Sequence, residues 1–139
     1  MIGINFYNGY LSQEFNDIDA AFSKEHQDEL DSIDALYPKR EDRRKTPLYR
    51  ELSKRLNDVK IDVGTVVDHI DHIVRLVGPD HVGLGSDFDG VHRMPNGLED
   101  CSKLPNITAE LIRRGYSDDD IKKILGGNFM RIFSQVCDN

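Results

Sequence analysis

The sequence predicts an α/β fold built on parallel strands, and three segments carry that expectation. Residues 81–86 (HVGLGS) read as a strand whose short apolar run ends abruptly in the acids of DFDG. Directly before it, residues 65–77 (TVVDHIDHIVRLV) repeat apolar side chains at helical spacing and stop at Gly78-Pro79. The opening residues 1–7 (MIGINFY) are rich in isoleucine and aromatics and read as a second strand, with Asn8-Gly9 as the turn after it. In parallel α/β architectures the rim at the carboxyl ends of the strands is where sites sit. Asp87, the first acid beyond the apolar run, is therefore the residue to explain.

The remaining elements follow in order along the chain. Residues 11–44 begin acidic and turn basic from Lys39 through Lys45, the pattern of a solvated helix followed by a basic turn around Pro38. Ile18, Ala21, Phe22, Leu30, Ile33 and Leu36 supply its one weak apolar face. Thr46-Pro47 opens a further helix carrying Leu48, Leu52 and Leu56, since proline is tolerated in a first helical turn. The helix over 65–77 turns Val66, Ile70, Ile73, Val74 and Val77 inward, with Thr65 as its cap. After the acidic loop, residues 98–103 are irregular and 104–114 form a helix ended by Gly115. Ser117 with Asp120 approximates a capping box for a last helix whose inward residues are Ile121, Ile124, Leu125, Phe129, Ile132, Phe133 and Val136. Gly126-Gly127 interrupts it, at about 1 kcal/mol per glycine relative to alanine.

Composition narrows the function. The chain has 139 residues, enough for one domain with a core, and a formal net charge of -7, with no basic cluster to track a phosphate backbone. Nucleic acid is thereby excluded as an expected partner. No apolar run reaches the roughly 18–20 residues of a membrane span, and the first residues lack the features of a signal peptide. Cys101 and Cys137 lie in unlike contexts and suggest neither a disulfide framework nor a zinc knuckle.

Two constellations could carry chemistry. In DHIDH, His69 and His72 are three apart on one helical face and could approach one metal ion. Helical metal pairs more often use a spacing of four, and packing with hydrogen bonds beneath the sheet accounts for the segment better than a metal pair does. In SDFDG, Asp87 and Asp89 share a side if the chain is extended. A calcium loop is excluded, because Leu98 stands at the twelfth position where a glutamate is needed. The structural reading of SDFDG is a turn capped by Asp87 and relieved by Gly90.

Together, VVDHIDHIVRLVGPDHVGLGSDFDGV, the later GLED and ILGGNF, and the opening INFYNGYL resemble the carboxyl-terminal part of the membrane dipeptidase (renal dipeptidase) family, the M19 zinc metallopeptidases. The charged segment from about 12 to 60 looks like an insertion of the sort seen in microbial relatives. The resemblance implies a C-terminal fragment of a (β/α)8 TIM-like barrel, with two barrel strands plus several helices. It also implies a dipeptide substrate and two zinc ions that activate a water. Asp87 then matches the acid that takes a proton from that water and passes it to the leaving amine, and Tyr10 and Asp87 line the substrate pocket. Asp89 and His92 lie near the rim without an implied role, and DHIDH does not match the family's metal ligands.

Those ligands, an HxD pair, a bridging glutamate and two histidines, lie in the family upstream of the segment that INFYNGYL matches. No residue of this chain is therefore expected to bind metal, and the chain alone is expected to be inactive. Met1 is read as an internal methionine or an imposed start. The alternative is a non-catalytic truncated α/β domain that self-associates or pairs with an N-terminal partner. The family resemblance further suggests a homodimer, while compartment stays open.

Overall fold

A computed structural model describes residues 1–91 and 93–137. The chain divides into two compact units, one of Met1–Leu11 with Ile61–Asn139 and one of Ser12–Lys60. The first unit carries the sheet. Strand β1 (Ile2–Asn5) pairs in parallel with β2 (Val82–Ser86), aligning Ile2 with Val82 and Ile4 with Leu84. Both strands thus end at the same rim.

The first strand is shorter than its apolar composition suggested. Asn8-Gly9 does not make a turn; it opens a one-turn helix, α1 (Asn8–Leu11), in which Asn8, Gly9 and Leu11 are buried. The same unit contains the long helix α6 (Val63–Val77), which packs against both strands. Its cap is Asp62, one turn earlier than expected. The Asp62 carboxylate accepts the Thr65 N–H at 3.2 Å, and the Thr65 hydroxyl returns toward the Asp62 N–H at 3.4 Å, so Thr65 is the reciprocal partner in a capping box. Val66, Val67 and Ile70 are fully buried, whereas Val77 is exposed at the far end. Gly78, at φ 84°, ends the helix, and a short 3-10 turn (Pro79–His81) leads into β2.

Helix α7 (Pro105–Arg113) lies against α6 and buries Ile107 and Leu111. A short helix α8 (Asp118–Lys122) is capped by Ser117, whose Oγ accepts the Asp120 N–H at 3.2 Å. The double glycine widens the next turn into a π segment (Lys123–Gly127), kinked at Gly126, and α9 (Asn128–Cys137) continues beyond it. Asn128 anchors this kink: its buried amide donates to Pro79 O at 2.7 Å and Val82 O at 2.9 Å. The core of the unit is Phe6, Val66, Val67, Ile70, Val82, Leu98, Ile107, Leu111 and Ile124, none of them exposed.

The last helix departs from expectation. Ile121 and Ile124 are buried, but Leu125, Phe129, Phe133 and Val136 are 40–69% exposed. Their helical spacing is real, yet the described residues provide no second surface to cover that face, so it stays in solvent.

The second unit begins with α2 (Gln13–Glu25), capped by the Ser12 hydroxyl on the Phe15 N–H, and continues as α3 (Gln27–Leu36), α4 (Arg40–Arg43) and α5 (Pro47–Asn57). Helices α2 and α5 pack together, burying Phe15, Phe22, Leu48, Leu52 and Leu56. The anticipated single helix before Pro38 is broken at His26, which leaves helical dihedrals. Of its expected apolar face only Phe22 is buried, and α3 buries nothing, with Leu36 73% exposed. Its high acidic content keeps it in water. Arg55 ties the unit together, stacking over the Phe22 ring at 4.8 Å and pairing with Glu51 and Glu25.

Candidate active site

The site is built where the two strands end. Between Ile4 and Asn5 the register slips, so that Asn5 pairs with Ser86 and Gly85 is left over as a bulge. A side chain could not stand there: a Cβ on Gly85 would lie 3.1 Å from Gly3 C and from Ile4 O. Bulges sharpen the local twist and re-aim the residues that follow. Here the next two residues, Ser86 and Asp87, take left-handed backbone conformations at φ 50° and φ 82°. Such conformations outside glycine cost roughly 1–3 kcal/mol each and cluster at functional positions.

The strained turn is held from several sides. Phe6 N–H donates to Ser86 O at 2.9 Å, and Asp87 O accepts from Gly90 N–H at 3.2 Å and Val91 N–H at 3.3 Å. Phe88 packs edge-on against the buried Phe6, ring centres 5.8 Å apart. The Asp87 side chain is fixed as well. Its Oδ2 accepts a hydrogen bond of 3.0 Å from the Asn5 amide, and Asn5 Oδ1 in turn accepts the Tyr7 N–H at 2.8 Å. The other oxygen, Oδ1, occupies the space above Gly90, where any Cβ would collide with it. Asp87 is half-buried, so its carboxylate is oriented yet reachable.

Asp89 does not share that position. The chain is not extended across Asp87 and Asp89; it turns, and Asp89 is exposed. Tyr10, the other expected pocket residue, projects from α1 with 70% of its surface exposed and its ring edge-on to Tyr7 at 5.3 Å. His92 lies outside the described residues.

In DHIDH the two acids and His69 are engaged within the fold. Arg114 of the α7 terminus donates to Asp68 and Asp71 at 2.6 Å, to Glu110 at 2.8 Å and to Gly64 O at 2.8 Å. Tyr116 OH adds a 2.6 Å bond to Asp71. Burial works against the guanidinium charge, and the three carboxylates outweigh it, so Arg114 is held more firmly protonated than usual. Hydrogen bonds from Arg113 and Arg114 bring Glu110 down to about 2. Burial and the bond to Asp71 push the Tyr116 phenol up. His69 Nε2 faces Leu11 O at 3.3 Å. These carboxylates are committed to fastening α6 to α7.

Among the described residues no three or more His, Cys, Asp and Glu side chains gather where they could hold a metal ion. Cys101 and Cys137 are separate, exposed thiols. No described helix is long and apolar enough to cross a membrane.

The family model for membrane dipeptidase, peptidase family M19, matches residues 1–139. The chain belongs to the membrane dipeptidase family. It is 46% identical over 89 residues to the dipeptidase ataJ of Aspergillus terreus, a match covering 64% of this chain and 22% of that protein. It is 44% identical over 75 residues to dipeptidase 3 of Rattus norvegicus, covering 54% of this chain and 15% of the other. The crystal structure of the probable dipeptidase PvdM from Pseudomonas aeruginosa superposes with a TM-score of 0.61 at 33% identity, covering 98% of this chain and 37% of that one. Its matches span about a fifth of the length of the first curated relatives. The α/β architecture, helix-rich around a two-stranded sheet, therefore matches part of that probable dipeptidase's structure.

Asn5 is the site residue that sequence reading missed. A signal was available: a lone polar side chain ends the apolar run of β1, just as Asp87 follows the apolar run of β2. Parallel pairing sets those two ends side by side.

Proposed function

We propose that this chain is the carboxyl-terminal portion of a (β/α)8-barrel dipeptidase and contributes its proton-transfer acid, Asp87. In this reading the reaction cleaves the amide bond of a dipeptide by water. Asp87 accepts a proton as the water oxygen bonds to the carbonyl carbon, and delivers it to the amine nitrogen as the C–N bond breaks. Tyr10 forms part of the wall around the substrate. The observation that carries the assignment is the convergence at Asp87 of a bulge, a left-handed backbone and an oriented carboxylate, at the rim where both strands end.

The family's zinc ions supply the means to activate that water. The described residues form no ligand set for them, so no step assigned to this chain runs through metal. The ligands belong in this proposal to sequence outside the 139 residues, and the isolated chain does not hydrolyse dipeptides. Residues 12–60 are an insertion between barrel elements.

The test joins the chain to the upstream region of a full-length relative and assays dipeptide hydrolysis with added Zn²⁺. Activity is expected only in the joined protein, and Asp87→Asn lowers its kcat by roughly 10²–10⁴-fold, the usual contribution of a positioned acid–base group. A joined Asp87→Asn protein with unchanged kcat rules the assignment out.

A second reading is favoured by the exposed apolar row Leu125, Phe129, Phe133 and Val136 along the last helix. In it the chain is a non-catalytic domain that self-associates through that row. Equilibrium sedimentation separates the two, since a monomer at tens of micromolar removes the self-association.

A further inference from the structure

We propose that Asn5 is a positioning residue for Asp87, an inference that rests on reading Asp87 as the proton-transfer group. An aspartate has a two-fold end and rotates freely unless something fixes it. Here the Asn5 amide takes one oxygen, Oδ2, at 3.0 Å. Asn5 cannot turn its own carbonyl toward Asp87 instead, because that oxygen is engaged by the Tyr7 backbone N–H at 2.8 Å. The donor end therefore always faces the carboxylate. Gly90 supplies the rest: with no side chain there, Oδ1 keeps the space it occupies.

The two oxygens thus differ in role. Oδ2 is held, and Oδ1 is the one that exchanges the proton. The order depends on the bulge at Gly85, since the pairing of Asn5 with Ser86 brings the asparagine beside the residue preceding Asp87. Positioning of this kind acts on the reacting geometry, and a displacement near 1 Å can cost about 100-fold in rate.

Two measurements test it. In the 139-residue chain labelled with ¹⁵N, the Asn5 side-chain amide protons should be well separated and slow to exchange, and Asp87→Ala should collapse that separation. In the joined protein, Asn5→Ala should lower kcat about 10–100-fold while KM changes less than about threefold. Asn5→Asp, which keeps the shape and removes the donor, should lose at least as much, whereas a space-filling role would leave it near wild type. Asn5 amide signals indifferent to Asp87→Ala, or a kcat unchanged in Asn5→Ala, overturn the inference alone. An unchanged kcat in Asp87→Asn instead overturns the reading of Asp87, and the inference with it.

Discussion

Arg114 is a charged group held by several hydrogen bonds and the Asp87 carboxylate is held by one, from Asn5; on the function proposed above, that difference separates chemistry from scaffolding. Arg114 has every partner satisfied within the fold: Asp68, Asp71, Glu110 and Gly64 O surround it. Removing it by Arg114→Ala leaves Asp71 with only the Tyr116 hydroxyl and Glu110 with Arg113 alone, and should cost about 2–3 kcal/mol in urea denaturation. The same cluster predicts a pH dependence. Glu110 is depressed from an ordinary 4.5 to about 2, so its stabilisation is complete above that ordinary value and is lost as pH falls toward 2. Denaturation midpoints should hold from pH 6 to about the ordinary 4.5 and fall from there to pH 2.5, with a shallower fall in Glu110→Gln. Asp87, by contrast, keeps Oδ1 over Gly90, while Oδ2 takes the bond from Asn5. Its position was legible in the sequence because an apolar strand that ends in an acid marks a rim. Asn5 offered only a polar end to its strand; its bond to Asp87 was not legible, because strand pairing is a long-range fact and 82 residues separate the two. The cap of α6 was misplaced for a local reason, since Asp62 and Thr65 are both good capping residues and only their reciprocal bonds show which one precedes the helix.

At the scale of elements, periodicity located α5, α6 and α7 because each buries its apolar stripe: Leu48, Leu52 and Leu56; Val66 and Ile70; Ile107 and Leu111. The same periodicity misread α9, whose stripe is equally regular but uncovered. Pattern states which face wants burial, and the partner decides whether it is buried. Phe133→Ser should accordingly change the stability of the isolated chain by no more than about 0.5 kcal/mol, as expected of an exposed site. The strand pair behaves oppositely. Gly85→Val would force a side chain into the backbone of Gly3 and Ile4, and should destabilise by about 1–3 kcal/mol in thermal or urea unfolding. In the joined protein it should also lower activity more than its loss of stability explains, because the bulge aims Asp87.

For the whole molecule, a two-stranded parallel sheet is too little to close around a substrate, and the relatives this chain matches are several times longer than the matched part. Purely parallel sheets are normally buried on both faces and continued at both edges. The exposed Ile2 on the first strand and Phe129, Met130 and Phe133 on the last helix are in keeping with that expectation. The most direct measurement is dipeptide hydrolysis with Zn²⁺ by the 139-residue chain alone, by the chain joined to an upstream dipeptidase region, and by the joined protein carrying Asp87→Asn. No turnover is expected from the first, turnover from the second and a loss of roughly 10²–10⁴-fold in the third. Turnover by the chain alone, or a joined Asp87→Asn protein as fast as its parent, would contradict it.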